Sequence, residues 1–147
     1  MREHMGLYRG KRVDSGAWVE GYLSKRPSAI QIGAYCPWYI YVPPLDPDDN
    51  GGYYNVDPDT VGECTGLTDK NGKLIFEGDI VRHHNDNPYV IQDEGKVYWD
   101  KNYCGWRRTS NGAFHHGVVD TYRMSCNCVY EIIGNIHDNP QLLLQEE

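Results

Sequence analysis

The sequence predicts a mainly β protein: an N-terminal β-hairpin region, a small β-barrel and a short C-terminal helix. Three observations carry this. Short runs rich in Val, Ile, Tyr and Trp recur between clusters of Gly, Pro, Asn and Asp, the punctuation of sandwiches and small barrels. Aliphatic side chains are sparse, but 12 Tyr and 4 Trp among 147 residues supply rings that bury an apolar face while keeping a polar edge. No solenoid period, heptad or charge block interrupts the pattern.

The first two runs, Leu7 to Val13 and Ala17 to Leu23, flank Asp14-Ser-Gly16 and read as a hairpin. In the second run Trp18, Glu20 and Tyr22 share one face. Val19, Gly21 and Leu23 share the other, which is expected to pack inward. Two further strands are expected at Ser28 to Ile32 and Trp38 to Val42, with Pro37 placed where its missing N–H does least harm. Residues 43–60 carry dense turn chemistry and read as a surface loop or linker between an N-terminal β region, 1–42, and a barrel with its tail, 61–147. Asn71-Gly72 supplies a turn before Leu74 to Phe76, and Ile80 to His83 follows. Later strands are expected at Tyr89 to Gln92, Lys96 to Trp99, Gly105 to Thr109, Val118 to Arg123 and Val129 to Ile136. Asn139 and Pro140 open the short helix.

The formal charge of −7 argues against sequence-independent binding of polyanions, which relies on Lys and Arg displacing counterions. No apolar run spans a bilayer and no signal core opens the chain, so no membrane association is expected. Five Cys without a Cys-x-x-Cys pair fit reduced thiols in a cytoplasm.

Two separated stretches carry a family resemblance. Asp57-Pro-Asp-Thr-Val-Gly-Glu-Cys-Thr-Gly-Leu-Thr-Asp-Lys-Asn-Gly-Lys-Leu-Ile-Phe-Glu-Gly-Asp-Ile-Val-Arg82 resembles the signature of the YopX family of phage and prophage proteins. Tyr130-Glu-Ile-Ile-Gly-Asn-Ile-His-Asp-Asn-Pro-Gln-Leu-Leu144 resembles its tail. Arg9 to Val13 and Trp18 to Tyr22 resemble its N-terminal hairpin. Glu63-Cys64, where a Gln and an aromatic are expected, and the long Asp/Pro/Gly loop depart from the pattern. The resemblance implies a β-rich fold, a phage or integrated-element origin and a bacterial host, and names no reaction. The shared residues are glycines and Asp-Pro or Asn-Pro pairs, so they read as a fold signature. By analogy, Glu77 to Arg82 resembles the opening strand of an SH3-like barrel.

Several patterns could carry chemistry. Asp46, Asp48, Asn50 and Asp57, with Gly51 at position six, match the spacing of an EF-hand calcium loop. Position twelve is Asp in place of the bidentate Glu, and the flanking prolines forbid helices, so a solvated acidic turn is the preferred reading. Cys104, Cys126, Cys128, His115 and His116 are soft ligands in no common zinc spacing, and read first as buried thiols. His83 and His84 beside Asp79, His137 beside Asp138, or a thiol at Cys64 or Cys104 would need a nucleophile context that is missing. Phosphate-cradling Gly motifs are absent and no cofactor is expected. Arg9, Lys11 and Arg12 near Trp18, and Trp106-Arg107-Arg108, place cations beside rings, as in single-strand binders. The competing reading is edge charge and core aromatics.

The expectation is a non-catalytic β-rich module that binds an unknown protein partner or itself. A nucleic-acid-binding accessory factor and a small metal-dependent or Cys/His enzyme are the alternatives.

Overall fold

The computed structural model describes residues 6–25, 37–84, 93–115 and 118–143, of which 111–115 and 118–121 by the backbone alone. The strands expected at Ser28 to Ile32 and Tyr89 to Gln92 lie outside the described residues. The fold is mainly β, and the chain divides into two compact units, Met1–Cys64 and Thr65–Glu147.

In the first unit, β1 (Leu7–Lys11), β2 (Trp18–Lys25), β3 (Trp38–Val42) and β4 (Gly52–Asn55) form an antiparallel meander. The register Gly10↔Val19 and Leu23↔Ile40 turns the predicted inward face of β2 toward Ile40, which is fully buried with Val56. Gly21 is required there: a Cβ would stand 2.2 Å from the Tyr41 carbonyl oxygen. After β4 the chain returns to the outer edge of β1. Val13 N–H donates to the Asn55 carbonyl (2.9 Å), Asp57 N–H donates to the Lys11 carbonyl (2.9 Å), and Arg12 bridges Val56. A 3-10 turn at Pro58–Thr60 follows, with Asp57 Oδ1 accepting from Asp59 N–H (3.0 Å) and Thr60 Oγ1 accepting from Lys11 N–H (2.8 Å).

Residues 43–60 are therefore not loop throughout. The Asp/Pro/Gly composition conceals β4, where Gly51 at φ 62° reverses the chain and the β-prone Tyr53 and Tyr54 pair with β3.

β5 (Gly62–Thr68) runs through the division. Its first residues pair with β1 (Tyr8↔Glu63, Arg9↔Gly62), and its later half pairs with β6 (Leu74–Phe76). The second unit adds β7 (Asp79–His84), β8 (Asp93–Asp100), β9 (Gly105–His115), β10 (Val118–Arg123) and β11 (Val129–Asn135), in the antiparallel order β10-β9-β8-β7-β11. Its core is Ile75, Val81, Val97, Met124 and Tyr130. Gly95 lets β9 cross close by, since a Cβ would overlap the Thr109 carbonyl. No pairing among the described residues joins β10 to β11. The expected C-terminal helix is one 3-10 turn, Pro140–Leu143. Asn139 precedes the turn, its carbonyl accepting from Leu142 N–H (3.0 Å), but its side chain faces back along the chain: Oδ1 accepts from Asn135 N–H (3.3 Å), and its own N–H donates to the Asn135 carbonyl (2.8 Å).

The two family-like stretches meet in this unit. Asp69 is buried in the β5–β6 turn. Its Oδ1 accepts from Asn71 and Lys73 N–H (2.9 Å each), and its Oδ2 accepts from Ile132 N–H (3.2 Å) on β11. Lys70 N–H donates to the Tyr130 carbonyl (2.8 Å), and Ile136 N–H to the Gly78 carbonyl (2.9 Å). Asp79 Oδ2 accepts from Phe76 N–H (2.8 Å) across the turn that Gly78 makes at φ 87°. Burial alone would raise the Asp69 pKa, but the N–H groups of Lys73, Ile132 and Asn71 favour the ionised form and hold it below 3.8.

Asp69→Ala is expected to cost about 3 kcal/mol in urea unfolding, because three donors lose a charged acceptor. The folded-state pKa lies below the unfolded one, so this stabilisation is complete above 3.8 and is lost as pH falls through and below that value. The acid-side loss should be smaller in Asp69→Asn.

Candidate interaction surface

Antiparallel register aligns side chains directly across strands. In the first unit it places Leu7, Tyr22, Tyr41 and Tyr53 in one row over β1 to β4, on the face opposite Ile40. Tyr22 and Tyr53 are 48% and 53% exposed, and the Tyr41 and Tyr53 rings lie 4.8 Å apart. Glu20 is exposed on the same face, two residues from Tyr22. Arg9, opposite Glu20, sets its guanidinium 4.7 Å from the Trp18 ring, and the Lys11 ammonium lies 5.5 Å from the same ring. These contacts order Trp18 between two cations.

The cations expected to contact nucleic acid do not form an open row. Arg9 is buried. Arg12 is clasped by Asp14 through two bonds (2.9 and 2.6 Å) and lies over Tyr54 at 4.7 Å. The pair holds the Asp14 carboxyl below its usual range and the guanidinium above its own. An open depression of about 330 Å³ beside them is lined by Arg12, Val13, Asp14, Tyr53, Tyr54 and Asn55. In the second unit Trp106 packs on the core and meets Trp99 edge-on at 5.2 Å. Arg107 lies 4.7 Å from the Tyr103 ring and 3.8 Å from Asp100, while buried Arg108 donates to Asp93 Oδ2 (2.7 Å).

The calcium-like spacing is not gathered into a loop. Asp46 Oδ1 accepts from Asp48 and Asp49 N–H (2.9 and 3.0 Å), residues 52–55 are the strand β4, and Asp57 caps the 3-10 turn beyond it. An extended strand carries Asp57 away from Asp46, Asp48 and Asn50. Asp49, outside that spacing, accepts from Gly51 and Leu45 N–H (2.9 and 3.1 Å), which keeps its pKa low.

Cys104 and Cys126 are exposed in turns, Cys128 is half-buried and Cys64 is buried. Cys104 holds φ 48° in the β8–β9 turn. His115 is described by its backbone only, and His116 lies outside the described residues. No three His, Cys, Asp or Glu side chains gather as metal ligands among the described residues.

The histidines find partners that the chain order conceals. His84 Nε2 lies 2.8 Å from Glu131 Oε2, which Lys70 approaches at 3.2 Å, while Arg82 joins Glu131 (3.8 Å) to Glu94 (2.7 Å). His84 first and Lys70 next hold the Glu131 carboxyl below its ordinary value. His83 lies 5.7 Å from the Tyr130 ring, and burial together with nearby Arg108 lowers its pKa. Burial also pushes the Tyr130 phenol up to about 12, and its oxygen accepts from Ser125 N–H (3.1 Å). Asp79, expected beside the His pair as an orienting carboxylate, instead closes the β6–β7 turn. His137 N–H and Asp138 N–H both donate to Asn135 Oδ1 (3.0 and 2.9 Å), so that pair belongs to a turn. The Tyr row and the Glu131 network were missed because both depend on register between strands that are distant in sequence.

Two β units, one presenting an aromatic sheet face, define a β-rich protein with a candidate interaction surface. The chain belongs to the YopX protein family, whose model matches residues 17–144. A crystal structure of protein EF1440 from Enterococcus faecalis is similar at 20% identity over 93% of this chain and 96% of that one, with a TM-score of 0.43. No curated protein matches. No helix among the described residues is long and apolar enough to cross a membrane.

Tyr22→Ser is expected to change urea stability by about 0.5 kcal/mol, and Tyr53→Ser to cost about 1 kcal/mol through the lost ring contact with Tyr41. Tyr130→Phe should cost about 1 kcal/mol by leaving Ser125 N–H without its acceptor. The folded state disfavours protonated His83, so stability should decline as pH falls below the unfolded-state value of 6.5. His83→Gln should flatten that decline in urea titrations at stepped pH.

Proposed function

We propose that this YopX-family protein is a phage- or prophage-encoded, non-catalytic module of the bacterial cytoplasm that works by binding protein. The working surface is the outer face of the first unit's sheet. The row Tyr22, Tyr41 and Tyr53 carries this reading. Tyrosines offer large contact area with few torsions to freeze, and they anchor interfaces when clustered on a rigid sheet. Three adjacent, antiparallel strands fix their spacing. In this reading the five-stranded sheet of the second unit belongs to an SH3-like small barrel that carries no reactive centre.

Site-specific photo-crosslinking in the expressing bacterium tests the proposal. A photoreactive amino acid at position 53 should yield a discrete protein adduct, either a self-adduct or one with a partner. The same group at position 103, exposed in the second unit, should yield none. Absence of an adduct at 53, or equal adducts at both positions, overturns it.

A further inference from the structure

Register builds a second surface, on the face of the second unit's sheet opposite Val97 and Met124. β8, β9 and β10 set Tyr98, Arg107 and Arg123 in one row. Lys96 stands on the same face of β8, two residues from Tyr98. From the β8–β9 turn the Tyr103 ring lies 4.7 Å from the Arg107 guanidinium and is 69% exposed. Lys96 and Arg123 are exposed, and Tyr98 is half-buried. Like charges directly opposite on neighbouring strands repel. Arg107 and Arg123 stand in that relation, with Asp100 3.8 Å from Arg107 as the nearby carboxylate. The other carboxylates described on this face are engaged elsewhere: Glu94 accepts from Arg82 (2.7 Å), and Glu131 lies against His84 (2.8 Å) and Lys70 (3.2 Å). Among the described residues no carboxylate pairs with Lys96 or Arg123. Positive charge is therefore in local excess at β8 to β10, on a chain whose total is −7.

Cations interleaved with rings suit a single-stranded nucleic acid: its phosphates neutralise charges that the fold leaves unmatched, and its bases stack on the phenol rings. An acidic peptide would satisfy the cations and leave the rings idle. The acid excess over the rest of the chain opposes a long electrostatic track, so the contact is confined to a few nucleotides. We propose that the face bearing Lys96, Tyr98, Tyr103, Arg107 and Arg123 binds a short single-stranded segment of nucleic acid. Of the cations that the sequence singles out for this role, Arg107 alone belongs to it; Lys96 and Arg123 join through register. The site lies on other strands than the Tyr row and goes beyond the protein-binding reading above.

Fluorescence anisotropy of the full chain tests this with a labelled oligothymidine, an oligouridine of the same length and an oligoglutamate of the same charge. The wild type should bind one or both strands, and the tighter of the two names the sugar. With three phosphate contacts, log K should fall against log salt with a slope of about −2. Lys96→Gln/Arg123→Gln should weaken binding about tenfold and bring the slope to about −1. Tyr103→Ser should weaken it about fivefold or more. Lys25→Gln/Lys73→Gln removes equal charge from exposed positions off this face and should leave binding within about twofold. Urea unfolding checks that each variant is folded, and Arg123→Gln should not lower the midpoint, because it removes the like charge beside Arg107. The proposal is overturned if neither strand binds at about 50 mM salt, if the Lys96/Arg123 variant loses no more than the control, or if the Tyr103 variant binds undiminished. Tighter binding of the oligoglutamate overturns it in favour of an acidic peptide. None of these outcomes touches the crosslink expected at position 53.

Discussion

One buried carboxylate organises the second unit. Asp69 satisfies two donors in its own turn and one on a strand more than sixty residues downstream, and so converts a local reversal into a long-range tie. An ionised side chain tolerates burial only when the surroundings supply donors. Here the peptide backbone supplies them, with no cation needed as partner. The neighbouring bonds from Lys70 to Tyr130 and from Ile136 to Gly78 extend the same joint. The two family-like stretches are therefore halves of a single structural element. Their shared Asp, Gly and Asn residues are the donors, acceptors and positive-φ positions that the joint requires.

Around that joint the second unit buries polar groups in partnered form. Arg108 meets Asp93, the Tyr130 hydroxyl meets Ser125, and Gly134 leaves room for the Asn139 side chain, which would otherwise stand 2.6 Å from a Cβ. Such networks specify a unique arrangement when each member is satisfied. The first unit differs in kind. Its buried centre is small, built on Ile40 and Val56, and much of its aromatic surface remains on the outer face.

Local chemistry made most of the strands legible. Trp38–Val42 and Val118–Arg123 occupy the residues their β-prone runs mark out, the Asn71-Gly72 turn places Gly72 at φ 80°, and the two faces of β2 divide as alternation dictates. β4 was hidden because Pro, Asp and Gly dominate its neighbourhood, and composition over a window cannot isolate four extended residues. The C-terminal segment is a single 3-10 turn, Pro140–Leu143, that begins at the expected Pro140. Asn139 has the residue type of a cap, but its amide oxygen is engaged by Asn135. The Tyr row was illegible for want of register: its four residues lie on four strands, and nothing in the linear order states that 7, 22, 41 and 53 stand abreast.

The strand β1 and the residue after it hold Arg9, Lys11 and Arg12 within a backbone bonded along both edges: to β2 and Ala17 on one side, and to residues 55–57 and β5 on the other. A trypsin-like protease needs several residues of unpaired, extended chain to fill its cleft. Hydrolysis after Lys11 must therefore wait until this ladder opens, which makes the basic trio an internal clock for the breathing of the N-terminal sheet.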